Sequence, residues 1–209
     1  MNAMNKILIS PHIDDEVLGC GGILNSDFMV VYGGADESSV DVIHNRPTAS
    51  ERMEELASVT AITGHHSEIL PNKVNLYKER DLLKDMERVI NTYKPLEIYL
   101  PHPSYNKDHR ELYNAALTAL RPHDKNHFVK RVLVYEQPHV FFWNHGCPEF
   151  TPTYFIPIDI EKKIELYNLM KSQVRSFRSN EHIKSLAKLR GGQSNTAYAE
   201  AFEVLRWVE

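Results

Sequence analysis

The sequence is poor in cysteine. Only Cys20 and Cys147 occur in 209 residues. Two thiols cannot form a disulfide framework, so a core must hold the chain together. Long apolar runs are absent too. The stretch KILIS, residues 6–10, is too short for a signal-peptide core or a membrane span. A cytoplasmic, reduced setting with no membrane span is therefore expected. Charge of one sign is also scarce. The net charge of -4 gives no electrostatic reason to expect nucleic acid as a partner. Neither an internal repeat nor a low-complexity segment is visible.

What is present fits an ordinary globular protein. Hydrophobic residues make up 42% and charged residues 25%, enough of each for a buried core and a solvated surface. The length suits a single domain over residues 1–209. There are 11 histidines. Most are expected to be solvated, but they enlarge the pool of candidate ligands.

Strands and helices alternate in the apolar pattern. Lys6–Ser10, Phe28–Tyr32, Ser67–Leu70, Leu96–Leu100 and Arg131–Tyr135 read as short buried strands. A helix is predicted from Asp15 or Glu16. A second follows Pro47, with Pro47 in its first turn, an apolar stripe of Met53, Leu56, Ala57, Thr60 and Ala61, and a stop at Gly64. Leu82–Tyr93 and Leu112–Leu120 mark two more, ended by Pro95 and Pro122. Residues 35–46 read as a loop and 136–153 as a surface loop or lid. Phe155–Ile158 reads as an edge strand, Glu161–Val174 and Glu181–Leu189 as helices, and Glu203–Val208 as a closing strand. This alternation predicts an α/β, Rossmann-like three-layer domain with a mainly parallel sheet. In such sheets ligands bind beyond the C-terminal strand ends.

Both unusual polar segments follow predicted strands. The first is "ISPHIDDEVLGCGGIL", residues 9–24. His12 and Asp15 are three apart, a spacing that a turn into a helix brings to one side, and their donor types suit zinc. Asp14 would then stand beside the metal, where a carboxylate can take a proton from its water. The second segment, "NKDHR", offers His109 as a third ligand and Asp108 as a carboxylate to orient a histidine or arginine. Two histidines and a carboxylate also suit Fe(II). A plain helix cap by Asp14 or Asp15, with His109 on the surface, is the alternative on spacing alone. A phosphate loop at "GCGG" is disfavoured, because its glycines lack the G-x-G-x-x-G spacing and fall inside the helix. Close helix–sheet packing explains them better.

These residues resemble the zinc-dependent PIG-L/LmbE-like deacetylases, which act on N-acetylglucosamine-type substrates. The family's P-H-P-D-D-E motif stands here as Pro11-His12-Ile13-Asp14-Asp15-Glu16, followed by "VLGCGG". Its D-H motif is Asp108-His109, and its R-x-x-E helix is Arg52-Met53-Glu54-Glu55, with Gly64 at the matching offset. "MKSQ" (170–173) and "YAEAF" (198–202) match its later segments. The resemblance implies His12, Asp15 and His109 as zinc ligands, and Asp14 as general base. It makes Glu16 a structural partner at the helix start. Arg52 becomes a substrate contact or site organiser, with a solvated helix arginine as the other reading.

Two positions depart from the pattern. Ile13 replaces a proline, which an extended residue can match. Asn106 stands where well-studied members often carry a histidine. An asparagine can donate to an oxyanion but cannot serve as general acid. Proton return to the amine would then fall to Asp14, or to a loop histidine such as His139 or His145. The expected activity is metal-dependent hydrolysis of an acetamide on a small-molecule N-acetylated sugar conjugate. The alternatives are a metal- or sugar-binding relative without catalysis, and a nucleotide-binding protein. Tyr105, Phe141, Phe142 and Trp143 could shape a sugar site, fill a core, or form a homo-oligomer contact.

Overall fold

A computed structural model describes residues 4–35, 47–138, 143 and 145–209. Most of the loop read at 35–46 lies outside the described residues, as do His139, Phe141 and Phe142. Among the described residues seven strands form one sheet. They are β1 (Lys6–Ser10), β2 (Phe28–Tyr32), β3 (His66–Ile69), β4 (Glu97–Pro101), β5 (Arg131–Tyr135), β6 (Tyr154–Pro157) and β7 (Ala199–Trp207). Their order is β3-β2-β1-β4-β5-β7-β6. β1 to β5 run parallel, whereas β7 is antiparallel to β5 and β6 is antiparallel to β7. β6 forms an edge, where Pro157 forfeits no ladder donor that a neighbour needs.

Among the described residues six helices cover the sheet: α1 (Asp15–Cys20), α2 (Ala49–Thr63), α3 (Glu79–Tyr93), α4 (Lys107–Ala119), α5 (Ile160–Leu169) and α6 (Asn180–Gln193). Alternation along β1 shows the layering. Leu8 packs with α1, α2, α5 and α6, whereas Ile7 and Ile9 pack with α3 and α4. The central strands are thus buried on both faces, which is why they read as continuous apolar runs. Among the described residues, no helix is long and apolar enough to cross a membrane.

Several bounds shift by a few residues from the sequence reading, and four differences have a clear physical reason. Pro47 precedes α2 rather than entering its first turn, because Thr48 is the N-cap and forms a reciprocal capping box with Glu51. The buried stripe of α2 is Arg52, Leu56, Val59 and Thr63, whereas Met53 is exposed. A buried arginine, invisible to an apolar count, sets that face. α5 stops at Leu169 and gives way to 3-10 turns at Lys171–Gln173 and Ser176–Arg178. The chain leaves the helix where the Ser172 amide reaches Glu55 Oε1 at 2.6 Å. β7 begins at Ala199, four residues before the predicted start. Its first residues pair with β6, and the buried Glu200 is neutralised by Lys163 Nζ at 2.6 Å.

The strand order reverses beside β1. β2 continues from β1 on one side and β4 lies on the other, so the ends of β1 and β4 flank a topological switch point. Both polar segments singled out in the sequence leave the sheet there.

Candidate active site

The turn after β1 builds half of the site. Asp14 occupies the N-cap position of α1, but its side chain makes no cap bond. Its backbone lies at φ 154°, ψ -25°, a conformation that a side-chain-bearing residue rarely adopts. Such strain costs about 1–3 kcal/mol and persists only where the surroundings over-determine it. Here the Asp14 amide donates to Glu16 Oε2 at 2.9 Å, and its carbonyl accepts from the amides of Val17 and Leu18 at 3.1 and 2.9 Å. Burial and the charge of Asp14 push the Glu16 carboxyl up to about 8. Asp15 turns back and accepts from the His12 amide at 3.0 Å. The aspartate pair therefore does not spend its carboxylates on helix capping.

The turn after β4 builds the other half. Asn106 caps α4, its Oδ1 accepting from the Asp108 amide at 2.9 Å. This commits the oxygen and leaves the amide nitrogen as the end that can meet a ligand. Asp108 is buried, with Oδ2 3.2 Å from His12 Nε2. It also accepts from the amides of Asn75 (2.5 Å) and Tyr77 (3.3 Å). The Tyr77 hydroxyl in turn donates to the Pro11 carbonyl at 2.7 Å. His12 is thus held on both flanks, by Asp108 on one nitrogen and Asp15 on the other.

Across the switch point the two halves meet. Asp15 Oδ2 lies 3.2 Å from His12 Nδ1 and 3.2 Å from His109 Nε2. The ligand atoms of these three residues all fall within 4.8 Å of one another. Metal–ligand bonds of 2.0–2.1 Å in a tetrahedron separate adjacent ligand atoms by about 3.3 Å. Two imidazoles and a carboxylate at this spacing fit zinc, and suit Fe(II) by donor type. The electrostatics agree. Burial pulls the His12 imidazole down, but its contacts to Asp108 and Asp15 outweigh that and raise it to about 10. Burial pushes Asp15 up, but His109 and His12 hold it well below the usual carboxylate range. A site that stabilises protons this strongly stabilises a cation in their place.

A cleft of about 190 Å³ opens over this cluster. His12, Asp14, Asp15, Asn106, His109 and Arg52 all face it. Arg52 is buried rather than solvated. It donates to the Ile13 carbonyl, reaches Glu55 at 3.3 Å, and lies 3.6 Å from Asp14 Oδ1. Tyr105 and Phe177 are exposed and line the same cleft, whereas Trp143 and His145 do not line it.

Several residues at the site escaped the sequence reading. Arg178 pairs with Asp14 Oδ2 at 3.1 Å, and Asn75 and Phe177 line the cleft. Tyr77 stacks on His12 with ring centroids 6.1 Å apart. None has a local signature, since a lone arginine in a turn looks like any solvated one. Gln173 and Ser172 stand in the "MKSQ" segment, and Glu55 closes the R-x-x-E motif. The Ser172–Glu55 bonds, 2.6 and 2.8 Å, join these two distant motifs.

A doubly wound α/β domain with a His–Asp–His cluster at its switch point defines the class. The chain belongs to the PIG-L family: the profile described as GlcNAc-PI de-N-acetylase matches residues 7–120. No curated protein matches the sequence. Among solved structures, a conserved protein from Thermus thermophilus is similar at a TM-score of 0.76, with 20% identity over 98% of this chain and 96% of that one. The N,N'-diacetylchitobiose deacetylase of Pyrococcus horikoshii is similar at 0.75, with 18% identity over 96% of this chain and 84% of that one. The 4-carboxy-2-hydroxymuconate hydratase of Pseudomonas putida is similar at 0.71, with 20% identity over 98% of both chains. At these identities the likeness is one of fold. That fold carries more than one chemistry.

Proposed function

We propose that this protein is a metal-dependent N-deacetylase of an N-acetylated amino sugar or its conjugate, releasing acetate and a free amine. The observation that carries this reading is the placement of Asp14. A carboxylate that neither caps its helix nor belongs to the His12–Asp15–His109 cluster faces the cleft beside that cluster. The family profile and the diacetylchitobiose deacetylase support the reaction class.

His12, Asp15 and His109 would hold a divalent cation, which would supply Lewis acidity toward an amide carbonyl and toward water near neutral pH. The remaining work falls to the chain. Asp14 accepts the proton of the attacking water and returns it to the departing nitrogen. The Asn106 amide nitrogen donates to the oxygen that gains negative charge, where one well-aimed donor is worth about 10²–10³ in turnover. Asp108 fixes the His12 ring, and Glu16 fixes the backbone of Asp14. A cleft of about 190 Å³ is smaller than the roughly 300–1,000 Å³ of typical ligand pockets. It suits one reacting sugar unit, with Tyr105 and Phe177 at hand to pack on its apolar face.

The test is amine release from a panel of N-acetylated amino sugars, with zinc or Fe(II) added. Asp14→Asn is expected to keep its metal and to lose turnover by at least about 10²-fold. Unchanged turnover would sink Asp14 as the base. No amine release by the metal-loaded wild type across the panel would favour a non-catalytic binding relative, the alternative raised by Asn106.

A further inference from the structure

Arg178 sits far from both motifs in sequence, yet it makes the nearer guanidinium contact to Asp14. Its Nη2 lies 3.1 Å from Asp14 Oδ2, whereas Arg52 Nη2 lies 3.6 Å from Oδ1. Arg52 is also shared among the Ile13 carbonyl, Glu55 and Ser172. Arg178 is anchored from behind. Its Nε donates to the Gln173 carbonyl at 3.1 Å, and its Nη2 donates to Gln173 Oε1 at 3.0 Å. The buried Tyr167 of α5 secures the same turn, its hydroxyl lying within donating distance of the carbonyls of Gln173 (3.1 Å) and Arg178 (3.0 Å). The fork thus reaches the carboxylate from a fixed base.

The backbone of Asp14 is held by Glu16 and by the first turn of α1, but these bonds leave the side chain free to rotate. Its direction is set by the two arginines. A charge-assisted contact in a nearly dry site is strong and directional, and the arginine fork is pre-organised in a way a lysine is not.

We propose that Arg178 is a positioning residue that aims the Asp14 carboxylate into the cleft. This rests on the reading of Asp14 as the proton acceptor. Removing the fork leaves Asp14 to turn toward Arg52, away from the attacking water. Misplacing a reacting group by about 1 Å costs up to about 10²-fold in rate.

The experiment compares Arg178→Ala, Arg178→Lys and wild type, each loaded with metal. Arg178→Ala is expected to lose kcat about 10- to 100-fold, with KM changed less than about threefold and metal content unchanged. Guanidinium ion at tens of millimolar should restore part of that kcat saturably in Arg178→Ala, and not raise it in wild type. Arg178→Lys should fall between the two. Wild-type kcat in Arg178→Ala overturns the proposal. So does a loss of kcat that guanidinium does not rescue. A crystal structure of Arg178→Gln decides the question without an assay. The carboxylate of Asp14 turned toward Arg52, with the His12–Asp15–His109 cluster in place, supports the proposal; an unmoved carboxylate overturns it. Inactivity of the wild type on every acetamide would defeat the deacetylase reading alone, and the crystal structure would still settle the role of Arg178.

Discussion

Gly19 offers a prediction in which even the sign is informative. It lies inside α1, where alanine would ordinarily stabilise the helix by up to about 1 kcal/mol. The tertiary structure opposes this. A Cβ on Gly19 would fall 2.2 Å from Tyr135 Cδ2, 2.7 Å from Cε2 and 3.0 Å from Cγ. Those atoms belong to a fully buried ring whose hydroxyl donates to the Ile9 carbonyl at 3.0 Å. The ring cannot step aside without breaking that bond or shifting α1. Overpacking of this kind costs about 1–3 kcal/mol, toward the upper end for a pinned ring. Subtracting the helical gain leaves Gly19→Ala destabilised by about 2 kcal/mol, or about 4–8 °C in Tm for a chain of this size. Gly192, near the end of α6, has nothing within 4 Å of its Cβ position, so Gly192→Ala should be neutral or stabilising by up to about 1 kcal/mol. Urea and thermal unfolding of both variants would measure the contrast. A Gly19→Ala protein as stable as the wild type, or more so, would refute the packing argument. Because α1 begins with Asp15, the clash should also loosen the His12–Asp15–His109 cluster.

Two further predictions concern the site and the core. Asp108→Asn removes the carboxylate behind His12 Nε2, so metal affinity should fall about 10–100-fold in a chelator competition. Affinity equal to wild type would show that His12 needs no such support. His65 is buried between α2 and β3, its Nδ1 2.6 Å from Thr63 Oγ1, and burial followed by the neighbouring His66 lowers it to about 4. The unfolded chain therefore binds a proton that the folded protein refuses between pH 6.5 and about 4, so stability falls as pH drops through that window. The loss from pH 7.5 to pH 5 is about 2 kcal/mol. His65→Asn should flatten the pH dependence of urea unfolding by about that amount, and an unchanged dependence would count against it.

Much of this molecule is legible residue by residue. KILIS, FMVVY and RVLVY are apolar because strands buried on both faces need no polar side, and their boundaries match the structure to the residue. The start of α1 at Asp15 and the stop of α2 at Gly64, with φ 73°, follow from local preferences. Two of the differences arise where a charged residue is buried. The buried stripe of α2 includes Arg52, which an apolar count passes over, and β7 starts before the predicted Glu203 with a segment that holds the buried Glu200. In both cases the charge is compensated by a partner distant in sequence: Asp14 for Arg52, and Lys163 for Glu200.

By itself, then, the sequence determined the order of strands and helices, the bounds of β1, β2 and β5, and which polar residues leave the sheet after β1 and β4. Those outcomes depend on interactions over a few residues, which a linear pattern records. Only the tertiary structure decided that β4 docks beside β1, bringing His12 and Asp108 together across 96 positions and setting His109 against Asp15. It also placed Asp15 in the cluster with His12 and His109 and left Asp14 without a cap bond, facing the cleft, since whether a carboxylate caps a helix or faces a cleft depends on what surrounds it. Arg178 is the extreme case. Its 3.1 Å contact to Asp14 is made from a turn that Tyr167 of α5 secures, and no local pattern encodes it.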